Sequence, residues 1–334
     1  MEQDTINSWK KRFFWRGDGG NIGRAKVPAK LIISGEHAVL YNGRALTCAI
    51  NLWMNVEVRK TFRYRIVVEQ DRKKTVVPLD DDFPENKMDN PLCEIYRQFV
   101  LFTECDIYGI RVKINTEIPS RCGLGSSAAL VVGMIKALDG LFQTHLSQYK
   151  MTLLAKNCEN IFHGKSSGID VQTILRKGIV SFDNGKVKNY RQKFNKICVI
   201  DTGKPQFSTK EVVGFVAQKC ANDNAIWGEF YDIVSNEETL MLKGKDINYL
   251  IDQNERLLEY IGIVSKKTAA FIKILKKYDI HAKVCGAGTI GAQEKFANNG
   301  VIAVFHELDK YQKQKLQKIC RIFKFKLKFA EIVY

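Results

Sequence analysis

The chain has 334 residues, of which 45% are apolar, and a formal net charge of +16 at pH 7. This is the composition of a globular protein with room for two domains, and no run reaches the roughly 20 apolar residues of a membrane-spanning helix. The nine cysteines are scattered without a Cys-x-x-Cys pair, which argues against a disulfide framework and a zinc site. Residues 1–7 lack an apolar signal core, and we therefore expect a cytoplasmic protein.

The basic residues are spread along the chain. Lysines within residues 266–277 and 310–318 fall on predicted helices, and no basic stripe is interleaved with stacking aromatic residues. Solvated helix faces explain this pattern better than a nucleic-acid site, so we expect no nucleic-acid partner. Residues 9–16 are both basic and aromatic. We assign residues 1–23 to an N-terminal extension that packs on the body of the protein, with a membrane-surface or partner-binding arm as the alternative.

The N-terminal half mixes strands and helices. Residues 24–33 and 45–61 are rich in β-branched and apolar residues around a turn at 41–43, and residues 64–69 predict another strand. Pro91 begins a predicted helix that runs to about residue 105. A strand over residues 109–117 enters a glycine- and serine-rich loop, and helices follow to residue 142, over about 147–162 and over 169–176. Residues 178–182 are predicted to be extended.

A break at residues 183–186, Asp-Asn-Gly-Lys, is the predicted domain boundary. It separates an ATP-binding domain at residues 24–185 from a C-terminal domain at residues 186–334. The latter begins with a strand at 196–202, continues with helices from about 209 to 278, and ends with strands at 281–284, 301–306 and 323–333 around a helix at 310–322. This mixed order predicts the α+β class in both domains.

Residues 119–129 read Pro-Ser-Arg-Cys-Gly-Leu-Gly-Ser-Ser-Ala-Ala. Gly123 and Gly125 allow a tight turn and a close approach to a ligand, because neither carries a Cβ. Ser126 and Ser127 open a helix, where free N–H groups and the positive dipole end favour an anion, and their hydroxyls suit Mg²⁺. A plain glycine turn with a serine N-cap is the alternative that this segment alone leaves open.

Two other segments accompany this loop. Residues 27–43 read Val-Pro-Ala-Lys-Leu-Ile-Ile-Ser-Gly-Glu-His-Ala-Val-Leu-Tyr-Asn-Gly, and residues 283–292 read Lys-Val-Cys-Gly-Ala-Gly-Thr-Ile-Gly-Ala. The glycines of the second segment also match a dinucleotide fingerprint, but the 43 residues that remain after Gly291 do not suit that fold. In their order and spacing, the three segments resemble the signature motifs of the GHMP kinases, which phosphorylate small molecules. Residues 28–39 and 159–170 are most similar to the mevalonate kinases of that family.

The resemblance implies a fold and an activity. The implied architecture has an N-terminal domain like ribosomal protein S5 domain 2 and a ferredoxin-like C-terminal domain. The implied reaction is ATP-dependent phosphorylation of the primary hydroxyl of (R)-mevalonate, which gives 5-phosphomevalonate and ADP in isoprenoid biosynthesis. The implied cofactors are ATP and Mg²⁺, and the implied assembly is a monomer or a homodimer.

The resemblance also implies roles for individual residues. Asp170 would orient and deprotonate the acceptor hydroxyl, while Lys30 would pair with Asp170 and stabilise the alkoxide as it forms. Ser127 and Glu159 would hold Mg²⁺. The implied substrate-binding residues are Glu36, His37 and Thr209. The implied ATP-binding residues are Gly123, Leu124, Gly125, Ser126, Ser127, Ala128, Gly286, Ala287 and Gly288.

Structural alternatives stay open for several of these residues. Lys30 interrupts an apolar run, and a buried ammonium is costly without a partner, which favours a functional lysine unless it points outward from an edge strand. Asp170 and Thr209 are each also good helix N-caps. Gln206 stands where many relatives have a basic residue, which leaves the contact to the substrate carboxylate open. The alternative functions are another GHMP kinase with phosphomevalonate or a sugar as acceptor, and a relative that binds ATP or a metabolite without catalysis.

Overall fold

The computed structural model describes residues 22–41, 43–61, 63, 65–70, 73–78, 90–163, 167–191, 196–291 and 297–334. Nearly all of the predicted N-terminal extension therefore lies outside the described residues. The chain divides into two compact units, one within Met1–Ala25, Asn55–Asn115 and Gly133–Leu154, the other within Lys26–Met54, Thr116–Val132 and Ala155–Tyr334. Each unit gathers separated stretches of chain, and the boundary expected near residue 185 stays a prediction.

The described strands and helices follow the predicted order. The strands are β1 Ile22–Ser34, β2 Arg44–Thr61, β3 Arg65–Gln70, β4 Lys73–Pro78, β5 Gly109–Thr116, β6 Ile179–Asp183, β7 Lys186–Tyr190, β8 Ile197–Asp201, β9 Ala282–Val284, β10 Val301–Val304 and β11 Lys326–Ala330. The α-helices are α1 Pro91–Thr103, α2 Ser126–Phe142, α3 Gln148–His163, α4 Ile169–Arg176, α5 Thr209–Cys220, α6 Asn224–Leu242, α7 Asn248–Tyr260, α8 Lys266–Lys276 and α9 Lys310–Phe323. A short 3-10 helix, Ala38–Leu40, follows β1. None of the described helices has the length and apolarity needed to cross a bilayer.

In the first unit, neighbouring strands follow the order β4-β3-β5-β2. Strand β3 pairs with β4 in antiparallel and with β5 in parallel orientation. Helix α1 begins where the sequence predicts, because Asn90 accepts a hydrogen bond from the Leu92 amide at 3.0 Å and Pro91 takes the first helical position, where its missing N–H costs nothing. Strand β4 is mostly exposed, and the sequence does not predict it because it lacks the alternation of a half-buried strand.

In the second unit, β1 and β6 both pair with β2, and β6 continues into β7. Asp183 pairs with Lys186, so Asn184 and Gly185 form a two-residue hairpin turn, with φ angles of 46° and 80°. Positive φ at both central positions is what an Asn-Gly hairpin turn requires. The break that the sequence shows here is therefore a hairpin between two paired strands.

The C-terminal strands of this unit form a four-stranded antiparallel sheet of order β11-β8-β10-β9. If β8 to β11 are numbered 1 to 4 along the chain, the order of the strands across this sheet is 4-1-3-2. This is the strand order of a ferredoxin-like, split βαβ fold. Helices cover the sheet with a core that includes Phe230, Phe271 and Leu316. The predicted α+β class is confirmed, and this sheet carries the glycine-rich loop that follows β9.

Candidate active site

Lys30 and Asp170 form an ion pair in the second unit, with 2.9 Å between Lys30 Nζ and Asp170 Oδ1. Lys30 lies in β1 within a run of buried residues, and its side chain is 4% exposed, whereas that of Asp170 is 28% exposed. The alternative that Lys30 points outward is therefore wrong. Because a buried ammonium without a counter-charge is strongly unfavourable, the carboxylate that reaches it stabilises both the fold and the position of the amine.

Asp170 lies in the first turn of α4, but it does not cap this helix. The N-cap is Gly168, with a φ of 79°, and it makes no side-chain cap. The alternative role of Asp170 as an N-cap is therefore wrong, and its carboxylate is directed to Lys30. A carboxylate in the first turn also has a favourable interaction with the positive end of the helix dipole.

The glycine-serine turn packs directly on Lys30. The Lys30 amide donates to the Leu124 carbonyl at 3.1 Å. Gly125 has a φ of +69°, and a Cβ at this position would lie 2.6 Å from Lys30 Cγ. Helix α2 follows Gly125 directly, and the Ala129 amide donates to the Gly125 carbonyl at 2.8 Å. The lysine, the carboxylate and the start of a helix thus meet at one place.

The glycine loop after β9 lies against the same turn. Gly123 and Gly286 have φ angles of +88° and +86°, and a Cβ on Gly286 would lie 2.7 Å from Gly123 Cα. The two loops therefore meet backbone to backbone. Gly288 packs elsewhere, on the backbone of Ile263, while Ala287 is half-buried.

Ser126, Ser127 and Glu159 supply oxygen atoms in the same unit. Both serines are half-buried at the start of α2, and Glu159 lies on α3 with 3% of its surface exposed. No group of three His, Cys, Asp or Glu side chains suited to a metal occurs within the described parts of the chain. Mg²⁺ beside a nucleotide needs only one or two carboxylates, since phosphate oxygens and water complete its shell. One buried glutamate and a serine hydroxyl fit that requirement.

Comparison with known proteins identifies the family of this chain. The family model of the GHMP kinases N terminal domain matches residues 93–178. The mevalonate kinase of Methanocaldococcus jannaschii is 30% identical over 279 residues, which cover 79% of this chain and 88% of the relative. That of Archaeoglobus fulgidus is 30% identical over 280 residues, with the same shares covered. The chain belongs to the GHMP kinase family.

Solved structures of GHMP kinases share the fold. The crystal structure of the Methanococcus jannaschii mevalonate kinase superposes with a TM-score of 0.81 at 24% identity, covering 95% of this chain and 100% of that one. The L. major mevalonate kinase in complex with R-mevalonate superposes with a TM-score of 0.70 at 20% identity, covering 95% and 96%.

In this GHMP kinase, Glu36 and His37 are buried immediately after β1. The Lys283 ammonium donates to Glu36 Oε1, and His37 Nε2 lies 3.1 Å from the Ala287 carbonyl. Burial lowers the pKa of His37 to about 4, so its ring is neutral at pH 7 and Nε2 donates to this carbonyl. His37 Nδ1 is then a buried acceptor without a partner among the described residues.

Two further buried carboxyl groups, which bond to residues 34 and 284 of this GHMP kinase, are not predicted by the sequence. Glu237 accepts a hydrogen bond from Ser34 Oγ at 2.8 Å, and Glu255 accepts one from the Val284 amide at 2.8 Å. Burial raises the pKa of each to about 8, so both are mainly protonated at neutral pH. Both residues lie inside helices, where an acidic residue is usually on the solvent-exposed face, so the sequence does not indicate that they are buried.

Thr209 is the first residue of α5 and is exposed. The N-cap is its neighbour Ser208, whose side chain accepts from the Glu211 amide at 3.3 Å, while Glu211 accepts from the Ser208 amide at 2.7 Å. This reciprocal arrangement is a capping box, so Thr209 is not the cap. Its contact with substrate stays a prediction.

Proposed function

We propose that this GHMP kinase transfers the γ-phosphoryl group of ATP to the primary hydroxyl of (R)-mevalonate, giving 5-phosphomevalonate and ADP for isoprenoid synthesis. The observation that carries the proposal is the Lys30–Asp170 pair, held in contact with the glycine-serine turn. The relatives that match most of the chain at 30% identity are mevalonate kinases, which supports this acceptor.

ATP binds at the two glycine loops in this proposal. Backbone N–H groups of residues 123–128, at the start of α2, hold phosphate oxygens, because a helix N-terminus combines free donors with a positive dipole end. Gly286 lies against the same turn, and Ala287 and Gly288 complete the proposed ATP-binding set. Ser127 and Glu159 would hold Mg²⁺, which would offset the charge of the phosphate oxygens.

Asp170 and Lys30 act on the acceptor hydroxyl. Asp170 accepts the hydroxyl proton as the oxygen forms its bond to the γ-phosphorus, and the bond from that phosphorus to the bridging oxygen of ADP breaks. The Lys30 ammonium stabilises negative charge on the attacking oxygen. Its low exposure strengthens this interaction, because little water screens it.

In this proposal the acceptor is bound by Glu36 and His37, which follow β1, and by Thr209 at the start of α5. His37 Nδ1 is a buried acceptor that a substrate hydroxyl satisfies, since an unpaired buried polar atom costs free energy. Glu36 and Thr209 complete the proposed substrate-binding set. The Glu36 carboxylate retains one oxygen, Oε2, without a partner among the described residues.

A panel of acceptors in a coupled ADP-release assay tests the proposal. We expect kcat/KM for (R)-mevalonate to exceed that for phosphomevalonate, galactose and homoserine by at least about 10³-fold, because a site built for one set of polar groups rejects analogues that leave them unpaired. A higher kcat/KM for another acceptor would show that the protein is a GHMP kinase with a different substrate. ATP binding without turnover of any acceptor would identify a non-catalytic relative.

A further inference from the structure

Lys283 is a fully buried lysine that the proposed chemistry does not use. It lies in β9, three residues before Gly286, and its side chain is 0% exposed. Its ammonium donates to Glu36 Oε1 and, at 2.8 Å, to the Val284 carbonyl. Because transfer of an ammonium from water to a protein interior is strongly unfavourable, these partners are required for the lysine to stay charged there.

The loop at residues 34–37, which begins with the last residue of β1 and leads into the 3-10 helix, is held by three buried side chains that reach three different elements. Ser34 bonds to Glu237 on α6, Glu36 pairs with Lys283 on β9, and His37 bonds to the Ala287 carbonyl in the glycine loop. Two of the three ties therefore run to β9 and the loop that follows it. The first and third sequence motifs are joined by charge and hydrogen bonding, out of contact with water.

We propose that Lys283 is a positioning residue for phosphoryl transfer. Through Glu36 it fixes the loop at residues 34–37, and with it the ring of His37, against the glycine loop at residues 286–288. The inference rests on the proposed function, which places the acceptor beside His37 and the nucleotide phosphates beside Gly286.

The positions of Lys283 and Glu36 in the chain explain why their ion pair affects both the acceptor and ATP. Glu36 and His37 are adjacent, so loss of the Glu36 contact releases the residue next to the histidine that bonds Ala287. Lys283 is separated by only two residues from Gly286, whose backbone meets Gly123 of the glycine-serine turn. A shift of the loop at residues 34–37 or of the loop at residues 286–288 therefore changes the distance between the acceptor beside His37 and the nucleotide phosphates beside Gly286.

The test compares Lys283→Met with a matched variant, Arg44→Met. Arg44 pairs with Glu238 in a second largely buried ion pair of the same unit, which ties β2 to α6 and shares no residue with the Lys283–Glu36 pair. For each folded variant we would measure the melting temperature, the dissociation constant for ATP by calorimetry, and KM for ATP and for mevalonate well below the melting temperature. We expect both variants to melt earlier. Only Lys283→Met should weaken ATP affinity and raise both KM values, by about fivefold to tenfold, the factor that corresponds to one lost hydrogen bond.

Equal ATP affinity in Lys283→Met and the wild type would overturn the inference and leave the pair with a purely structural role, as would an equal loss in Arg44→Met. If Lys283→Met does not fold, the positioning role is tested with the double variant Glu36→Met/Lys283→Met. Replacing both members of a buried ion pair leaves no uncompensated charge. Wild-type ATP affinity in that variant would refute the positioning role, and weakened affinity would support it. Failure of the wild type to phosphorylate mevalonate would reject the proposed acceptor, while the calorimetric comparison would still test Lys283.

Discussion

Replacement of Gly125 by alanine should separate Lys30 from Asp170. The new Cβ would lie 2.6 Å from Lys30 Cγ, whereas ordinary contact begins at 3.4 Å, so the lysine must move by about 0.8 Å. Lys30 is buried and has little room for this movement, and its pair with Asp170 spans only 2.9 Å. Displacements of about 1 Å in a catalytic group cost on the order of 10²-fold in rate, and we expect kcat to fall by about that factor. Positive φ at residue 125 adds about 1–2 kcal/mol of backbone strain.

Gly244→Ala is the matched control, because Gly244 has a φ of +65° but nothing within 4 Å of an added Cβ. Both variants should lose stability in urea unfolding through backbone strain, Gly125→Ala by more because of its contact with Lys30, and only Gly125→Ala should lose kcat in the coupled assay with mevalonate. Wild-type kcat in Gly125→Ala, or an equal loss of kcat in Gly244→Ala, would refute the argument from contact with Lys30.

Three other variants test separate parts of the site. Asp170→Asn should lower kcat by about 10²–10⁴-fold with ATP affinity largely kept, because it removes the proton acceptor, and near wild-type turnover would reject that role. Glu159→Gln should raise the Mg²⁺ concentration at half-maximal rate, and an unchanged magnesium titration would count against the assignment. Glu237→Gln should alter the pH dependence of stability. Burial raises the pKa of Glu237 from 4.5 to about 8, so between these values the folded chain keeps a proton that the unfolded chain releases. Wild-type stability should therefore fall with rising pH across this window, relative to the variant, by up to ~1.4 kcal/mol per pH unit in urea unfolding; parallel curves would contradict this.

The sequence was most informative where one residue breaks a local pattern. Lys30 interrupts an apolar strand, and this conflict favours a functional lysine unless the side chain points outward. The structure shows the side chain buried and paired with Asp170. The Asn-Gly pair at 184–185 forms the hairpin turn between β6 and β7, and the domain boundary expected near it stays a prediction. Helix starts with clear caps, such as that at Asn90, were placed correctly.

Contacts between distant segments could not be predicted in the same way. Lys283 breaks the short strand Ala282–Val284 just as Lys30 breaks its own strand, and this signal was available. Its partner Glu36 is 247 positions away, and neither residue indicates the other without the fold. Glu237 and Glu255 gave no signal, because an acidic residue inside a helix is usually exposed, and only tertiary packing buries these two.

The contact between Gly123 and Gly286 has a consequence for evolution and engineering. A Cβ on Gly286 would lie 2.7 Å from Gly123 Cα, and a Cβ on Gly123 would lie 2.5 Å from the Cys285 carbonyl oxygen. Backbone atoms therefore exclude a side chain from both positions, and a smaller neighbouring side chain cannot offset an enlargement at either one. Libraries that vary Gly123 and Gly286, singly or together, should therefore yield almost no active variants. Sequence variation in the two loops is expected at their other positions.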